Sequence, residues 1–367
     1  MRRVGWSSTF FALLFAAPLA AQVAAPPATA RTRYAAAIAQ SRAFIRDTMA
    51  RLKAPGAAIT VMRDGVIVWS EGFGLADVEQ HVAATPHTRF RVASVSKPLT
   101  SAALGLLVEE GKVDLDAPIQ RYVPTFPEKR WPITTREVAG HLGGIRHYND
   151  GEFENQKHYA SVLEGLKIFQ DDTLLFEPGT KFSYSSYGWN LVSAVIEGAS
   201  GESFLTFMAR RVFGPAGMVS TVPEFADSII PDRAHYYVHD STGKPTLNAP
   251  YVDNSYKWAG GGFLSTTEDL VRFGGALLES RLLRPETVQL LWTSQALSTG
   301  EKTDYGMGWS IQHDSAGRRV VGHTGGGMGA TSRLIIYPDQ RLVAALLVNS
   351  DETFISALPR ITERFLR

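Results

Sequence analysis

The chain has no cysteine among its 367 residues. That excludes disulfides, cysteine nucleophiles, thiolate metal sites and a lipid-bearing N-terminal cysteine. It has almost no net charge, with 37 Lys and Arg against 36 Asp and Glu. A nucleic-acid-binding chain shows a basic excess or patch, and neither is visible, so no nucleic-acid partner is expected. The apolar stretch from Phe10 to Leu19 is too short for a comfortable membrane span. Also missing are His-Glu-x-x-His, a tight His/Asp cluster, a glycine run ending in Lys-Ser/Thr, and Gly-x-Ser-x-Gly. These gaps argue against a metal centre, a phosphate loop and a nucleophile elbow. No metal or cofactor is expected.

The N-terminus reads as a secretory signal. Arg2 and Arg3 form a basic start, Phe10 to Leu19 an apolar stretch, and Ala28-Thr29-Ala30 a small-residue cleavage site; cleavage after Ala21 fits as well. The paired arginines lack the rest of a twin-arginine motif, so general export to the periplasm or medium is expected. Removing residues 1–30, with their two arginines, leaves 337 residues carrying 35 basic and 36 acidic groups and no transmembrane segment. That is enough chain for a large core and two structural lobes.

Arg33 to Lys53 has amphipathic helical spacing, with Tyr34, Ile38, Ile45, Met49 and Leu52 near one face. The β-formers Ala57 to Met62 and Val66 to Trp69 flank Arg63-Asp64-Gly65, a hairpin signal. From about Leu99 to Asn254 the chain is richer in helical segments, such as Trp189 to Gly198 and Phe204 to Val212, and in long loops. Strands return as two hairpins: 308–313 with 319–323, and 332–337 with 342–348. A last helix is expected over Phe354 to Leu366, interrupted or shortened by Pro359. The order predicts an α+β fold: an antiparallel sheet flanked by helices, with an inserted, mainly helical lobe. The α/β lobe takes about 31–98 and 255–367, and the helical lobe about 99–254. A cleft between them is the expected site.

Ser94-Val95-Ser96-Lys97 places a hydroxyl and an amine one helical turn apart, on one face. Serine needs a neighbouring base to attack a carbonyl. The same spacing recurs at Ser241-Thr242-Gly243-Lys244, which reads as a polar turn. Ser94 instead follows the strand-like Phe90 to Ala93 and precedes a helical run. Pro98 is tolerated only in a first helical turn, which fixes the start near Ser94. There the outward N–H groups and positive dipole favour an oxyanion and disfavour the charged form of Lys97.

Two later motifs join it: Tyr184-Ser185-Ser186, and His323-Thr324-Gly325 before Gly326. In this order the three resemble the serine β-lactamase-like superfamily of class C β-lactamases, D-Ala-D-Ala carboxypeptidases, D-amino-acid peptidases and amidases, and esterases. His141 to Tyr148 and Ala259 to Leu270 resemble segments of mitochondrial serine β-lactamase-like proteins and their bacterial relatives. The likeness spans roughly Ala57 to Ser350.

The resemblance implies that Ser94 is acylated by substrate. Lys97 and Tyr184 then share the proton work and titrate as a pair; the sequence leaves open which is the base. Ser186 orients Lys97 or the substrate amide. The Ser94 and Gly326 N–H groups form an oxyanion hole, and His323, Thr324 and Gly325 line a strand edge beside the substrate. Ser186 and His323 depart from the asparagine and lysine of class C β-lactamases, and a mostly neutral histidine weakens carboxylate recognition. Leu142 and Gly143 depart from the threonine and serine common in relatives. The expected partner is a small-molecule or peptide substrate, with a true β-lactamase or a penicillin-binding sensor as alternatives. Oligomeric state is left open. Tyr148, Tyr187, Trp189 and Trp258 are candidates for either pocket or core. His141 and His147 read as loop-stabilising, and Gly325 to Gly327 as either a flexible turn or a close approach to substrate.

Overall fold

A computed structural model describes residues 32–239, 246–351 and 354–367. The signal-like segment and the second tetrad, at Ser241, lie outside the described residues.

Helix α1 (Ala35–Leu52) leads into strands β1 (Gly56–Arg63) and β2 (Val66–Asp77). Asp64 and Gly65 both have positive φ, 51° and 78°. That is the turn a two-residue hairpin favours, because its twist matches that of the strands. A short β3 (Val82–Ala83) follows, then the nucleophile turn and helix α2 (Ser96–Glu109). A helical and looped stretch carries α3 (Ser186–Ser200), and α4 (Thr267–Leu278) ends it. The chain then runs as a meander through β4 (Ser310–His313), β5 (Arg319–Gly327), β6 (Ala330–Tyr337) and β7 (Leu342–Val348), and closes with α5 (Leu358–Thr362).

These strands form one seven-stranded sheet ordered β3-β2-β1-β7-β6-β5-β4, antiparallel throughout. The central β7 is buried along its whole length and is apolar throughout, Leu-Val-Ala-Ala-Leu-Leu-Val. A strand covered on both faces needs no polar alternation. On one face Ile59, Val61 and Leu346 pack with Ile45 of α1 and Ile361 of α5. On the other, Ala58, Met62 and Val343 join the larger core with Phe273 of α4 and Leu99 of α2.

The terminal helices therefore cover only one face. The second cover, α4, was not singled out as a helix from sequence. Thr266 caps it by accepting from the Asp269 N–H, and Glu268 and Asp269 occupy its first turn. Two further details differ. Pro359 sits in the first turn of α5 and starts that helix rather than interrupting it. The segment from Phe204 begins as α-helix and opens into a π-turn over Met208–Phe213.

Candidate active site

The nucleophile turn is built by close approach. Ala93 has φ +45°, a left-handed conformation rare for residues with a side chain. It begins a 3₁₀ turn, Ala93–Val95, that runs into α2. The Val92 N–H donates to the Phe263 carbonyl at 3.0 Å, and the Ser332 hydroxyl donates to the Val92 carbonyl at 2.6 Å. Strand β5 presses on this turn through Gly325. A Cβ there would stand 2.2 Å from Ser332 Oγ, 2.5 Å from the Val92 oxygen and 3.0 Å from the Ser94 nitrogen. Glycine is the residue that fits.

Lys97 is fully buried in α2. Its Nζ lies 3.0 Å from Ser94 Oγ, 3.1 Å from Ser186 Oγ and 2.7 Å from the Gly260 carbonyl oxygen. It also sits 4.8 Å from the Tyr184 ring centre. Burial, reinforced by the charge of Lys257, holds its amine well below the ordinary lysine range. A neutral amine matches these neighbours. Its two N–H groups donate to Gly260 and Ser186, and its lone pair faces the Ser94 hydroxyl. Burial pushes the Tyr184 phenol upward, partly offset by hydrogen bonds with Ser94 and Ser186. Burial thus favours the uncharged form of each partner, amine and phenol. The lysinium–tyrosinate polarisation that the motifs allow is not the state this burial favours.

Tyr184 and Ser186 are placed by α3. The Ser185 side chain caps that helix, accepting from Gly188 N–H at 2.9 Å and donating to the Arg146 carbonyl at 2.7 Å. The Ser185 N–H donates to His141 Nδ1 and the Ser186 N–H to His147 Nδ1, at 3.1 and 3.2 Å. Both histidines therefore hold the loop to the helix start. Burial, then Lys97, lowers both, His147 to about 4. Arg146 ties down the loop between them through Glu152 at 2.6 Å and Asp172 at 2.5 Å.

His323 is buried and hydrogen-bonded on both ring nitrogens. Nδ1 donates to the Thr324 carbonyl, which requires the proton there, and Nε2 accepts from the Tyr305 hydroxyl at 2.8 Å. Burial lowers it to about 3. Thr324 is exposed, next to it. The glycine run continues β5 rather than turning. β5 pairs with β6 through Gly327, but its pairing with β4 stops at Gly322. From His323 to Gly327 the strand thus offers an open edge, and a Cβ on Gly326 would meet nothing within 4 Å.

Ser94, Tyr184, Ser186, His323, Thr324 and Gly326 all line one cleft of about 460 Å³. Lys97 lies just beneath it and Gly325 behind it. Of the four aromatic candidates only Tyr148 lines the cleft, while Tyr187, Trp189 and Trp258 are core. Sequence reasoning missed Arg91, Phe153, Asn254, Lys257 and Tyr305 on its walls. Lys257 had one available signal: it immediately precedes the Trp258 to Gly262 stretch that packs against Ser186 and Ala93. Among the described residues, no group of three His, Asp or Glu could hold a metal ion. Nor is any helix there long and apolar enough to cross a membrane.

An antiparallel sheet with helices on both faces, and a serine paired to a buried lysine at its edge, define the β-lactamase and penicillin-binding class of fold. Comparison with known proteins agrees. Residues 42–364 match the family described as Beta-lactamase. The serine beta-lactamase-like protein LACTB, mitochondrial, of Homo sapiens is 35% identical, over 88% of this chain and 76% of that protein. Penicillin-binding protein 4* of Bacillus subtilis is 30% identical, over 78% of this chain and 66% of that protein. The octameric penicillin-binding protein homologue of Pyrococcus abyssi superposes with a TM-score of 0.76 at 26% identity, covering 88% of this chain and 77% of that one. The chain belongs to the β-lactamase family, and it is a serine hydrolase of that family.

Proposed function

We propose that the chain is exported and cleaves amide or ester bonds of small peptide-like substrates through an acyl-enzyme on Ser94. The observation that carries this reading is the 3.0 Å contact of Ser94 Oγ with the buried amine of Lys97, whose charged form burial disfavours. Lys97 takes the hydroxyl proton as Ser94 attacks the carbonyl. The Ser94 and Gly326 N–H groups receive the developing oxyanion, where each such donor contributes about 3 kcal/mol. Tyr184, held as a phenol, returns a proton to the leaving group. The same groups in reverse activate water for deacylation. Ser186 keeps Lys97 aimed, and the open edge of β5 accepts an extended substrate backbone as an added strand.

Peptide-like substrates are favoured over antibiotics by His323. Bonded on both nitrogens and uncharged, it supplies no fixed cation at the strand edge where class C enzymes carry lysine. A D-aminopeptidase of Brucella anthropi, 29% identical over 83% of this chain, fits amide chemistry. Export rests on the basic and apolar start of residues 1–30.

Wild type and Ser94→Ala are to be compared on a short-chain nitrophenyl ester, a D-Ala-D-Ala peptide and a chromogenic cephalosporin. Turnover of ester or peptide ahead of the cephalosporin, lost in Ser94→Ala, is expected. Undiminished activity in Ser94→Ala contradicts the reading. Rapid cephalosporin turnover points to a true β-lactamase, and a burst of one equivalent without turnover to a penicillin-binding sensor.

A further inference from the structure

One cation in the cleft has no task in the chemistry above. Lys257 lines the same cleft as Ser94 yet is only 5% exposed. Among the described residues its Nζ makes no hydrogen bond and no ion pair. Its neighbours are rings: Nζ is 4.6 Å from the centre of Phe153, 5.0 Å from Tyr256 and 5.4 Å from Tyr148. An ammonium in such a cage has lost much of its water without gaining a protein acceptor.

The nearby acid is already committed. Glu224 receives Arg91 Nε at 2.8 Å and Asn254 Nδ2 at 2.7 Å. Burial, then the Arg91 charge, lowers Lys257 to about 7, with Glu224 partly opposing. The site is therefore short of negative charge, on a wall that solvent and substrate reach through the cleft.

Its position relative to the reacting atoms is also defined. A row of rings runs from Tyr148 to His147 at 4.2 Å, to Tyr184 at 5.6 Å and to His323 at 6.1 Å. Lys257 touches the first ring of that row and His323 is the last. Lys257 thus stands on the Tyr148 and His147 side of the cleft, near enough for its charge to act on both His147 and Lys97.

Resting on the acyl-transfer reading above, we infer that Lys257 is the counter-ion for a carboxylate on the substrate, held on the cleft wall beside Tyr148 and Phe153. The substrates are then acidic acyl compounds, whose carboxylate supplies the acceptor that Nζ lacks. The charge that β-lactamases place at the strand edge is here carried by a different element of the cleft wall, the turn at Ser255–Lys257.

Boronic acids, which bond reversibly to a nucleophilic serine, test this without turnover. Carboxylated phenyl- and alkylboronic acids of three lengths are each paired with the matching carboxamide, and Kd is measured by calorimetry. Wild type is expected to bind at least one carboxylate about tenfold tighter than its carboxamide, on the order of 1.4 kcal/mol. In Lys257→Met that ratio is expected to fall to about one, and Lys257→Arg to recover part of it. No carboxylate preference in wild type at any length, or a preference that survives Lys257→Met, overturns the inference. Binding of both members unaffected by Ser94→Ala contradicts the acyl-transfer reading instead.

Discussion

Lys97 shows how burial turns a common residue into a base. Its three neighbours are two hydroxyls and a carbonyl, and none is a carboxylate that would keep it charged. Protonating it creates a buried cation, so kcat/KM should fall on the acid side with one ionisation well below the ordinary lysine range. Lys97→Met should lose roughly 10²–10⁴ of kcat/KM, the usual range for a general base, while the fold persists by circular dichroism. Retained activity in that variant would show that another group takes the Ser94 proton. Gly325 is the steric counterpart. An added Cβ meets the Ser332 hydroxyl at 2.2 Å and the Val92 carbonyl at 2.5 Å. Gly325→Ala should cost roughly 1–3 kcal/mol by overpacking, read from urea unfolding, and should slow acylation by shifting Ser94. A variant as stable and active as wild type would mean that β5 does not press on the nucleophile turn.

At the scale of elements, the site hangs on a helix start and a loop. The 141–148 loop gives α3 two histidine acceptors, and Arg146 fastens the loop through Glu152 and Asp172. Arg146→Met should free it, speeding hydrogen exchange at the Ser185 and Ser186 amides and raising KM. Exchange unchanged at both amides would mean that the loop is held by other means. Much of this was legible beforehand. Pro98 fixed the start of α2, Asp64-Gly65 the first hairpin, and the three ordered motifs the residues that meet around Lys97. Helix α4 was harder to see, because Gly274 and Gly275 suit close packing on the sheet while weakening a helical reading from sequence. The extension of β5 through Gly325 to Gly327 was ambiguous for a related reason. Gly325 answers to the contact with Ser94, which exists only once β5 and the nucleophile turn meet. Lys257 and Tyr305 were invisible as site residues because their placement depends on long-range packing.

For the molecule as a whole, burial disfavours the charged form of several histidines, two of them buried and one half-buried. Burial lowers His147 to about 4 and His323 to about 3, and lowers His141 as well. Their unfolded values lie near 6.5, so between about 3 and 6.5 the unfolded chain binds more protons than the folded one. Stability therefore declines as pH drops through that window and is fully present above it. Between pH 6.5 and about 4.5, ion-paired carboxylates such as Glu152 and Asp116 stay charged, while burial raises Asp269 and Glu197, which oppose the histidines in part. The melting temperature should fall steadily across that interval, and less steeply in His147→Gln. A flat profile down to pH 4.5 would mean that these rings are solvated.

The account turns on Ser94 as the atom that becomes acylated. The most direct test is peptide mapping of the purified protein after reaction with a fluorophosphonate. One adduct per chain on Ser94 is expected, formed more slowly in Lys97→Met and absent in Ser94→Ala. An adduct on another residue, or labelling of Ser94→Ala at the wild-type rate, would contradict it.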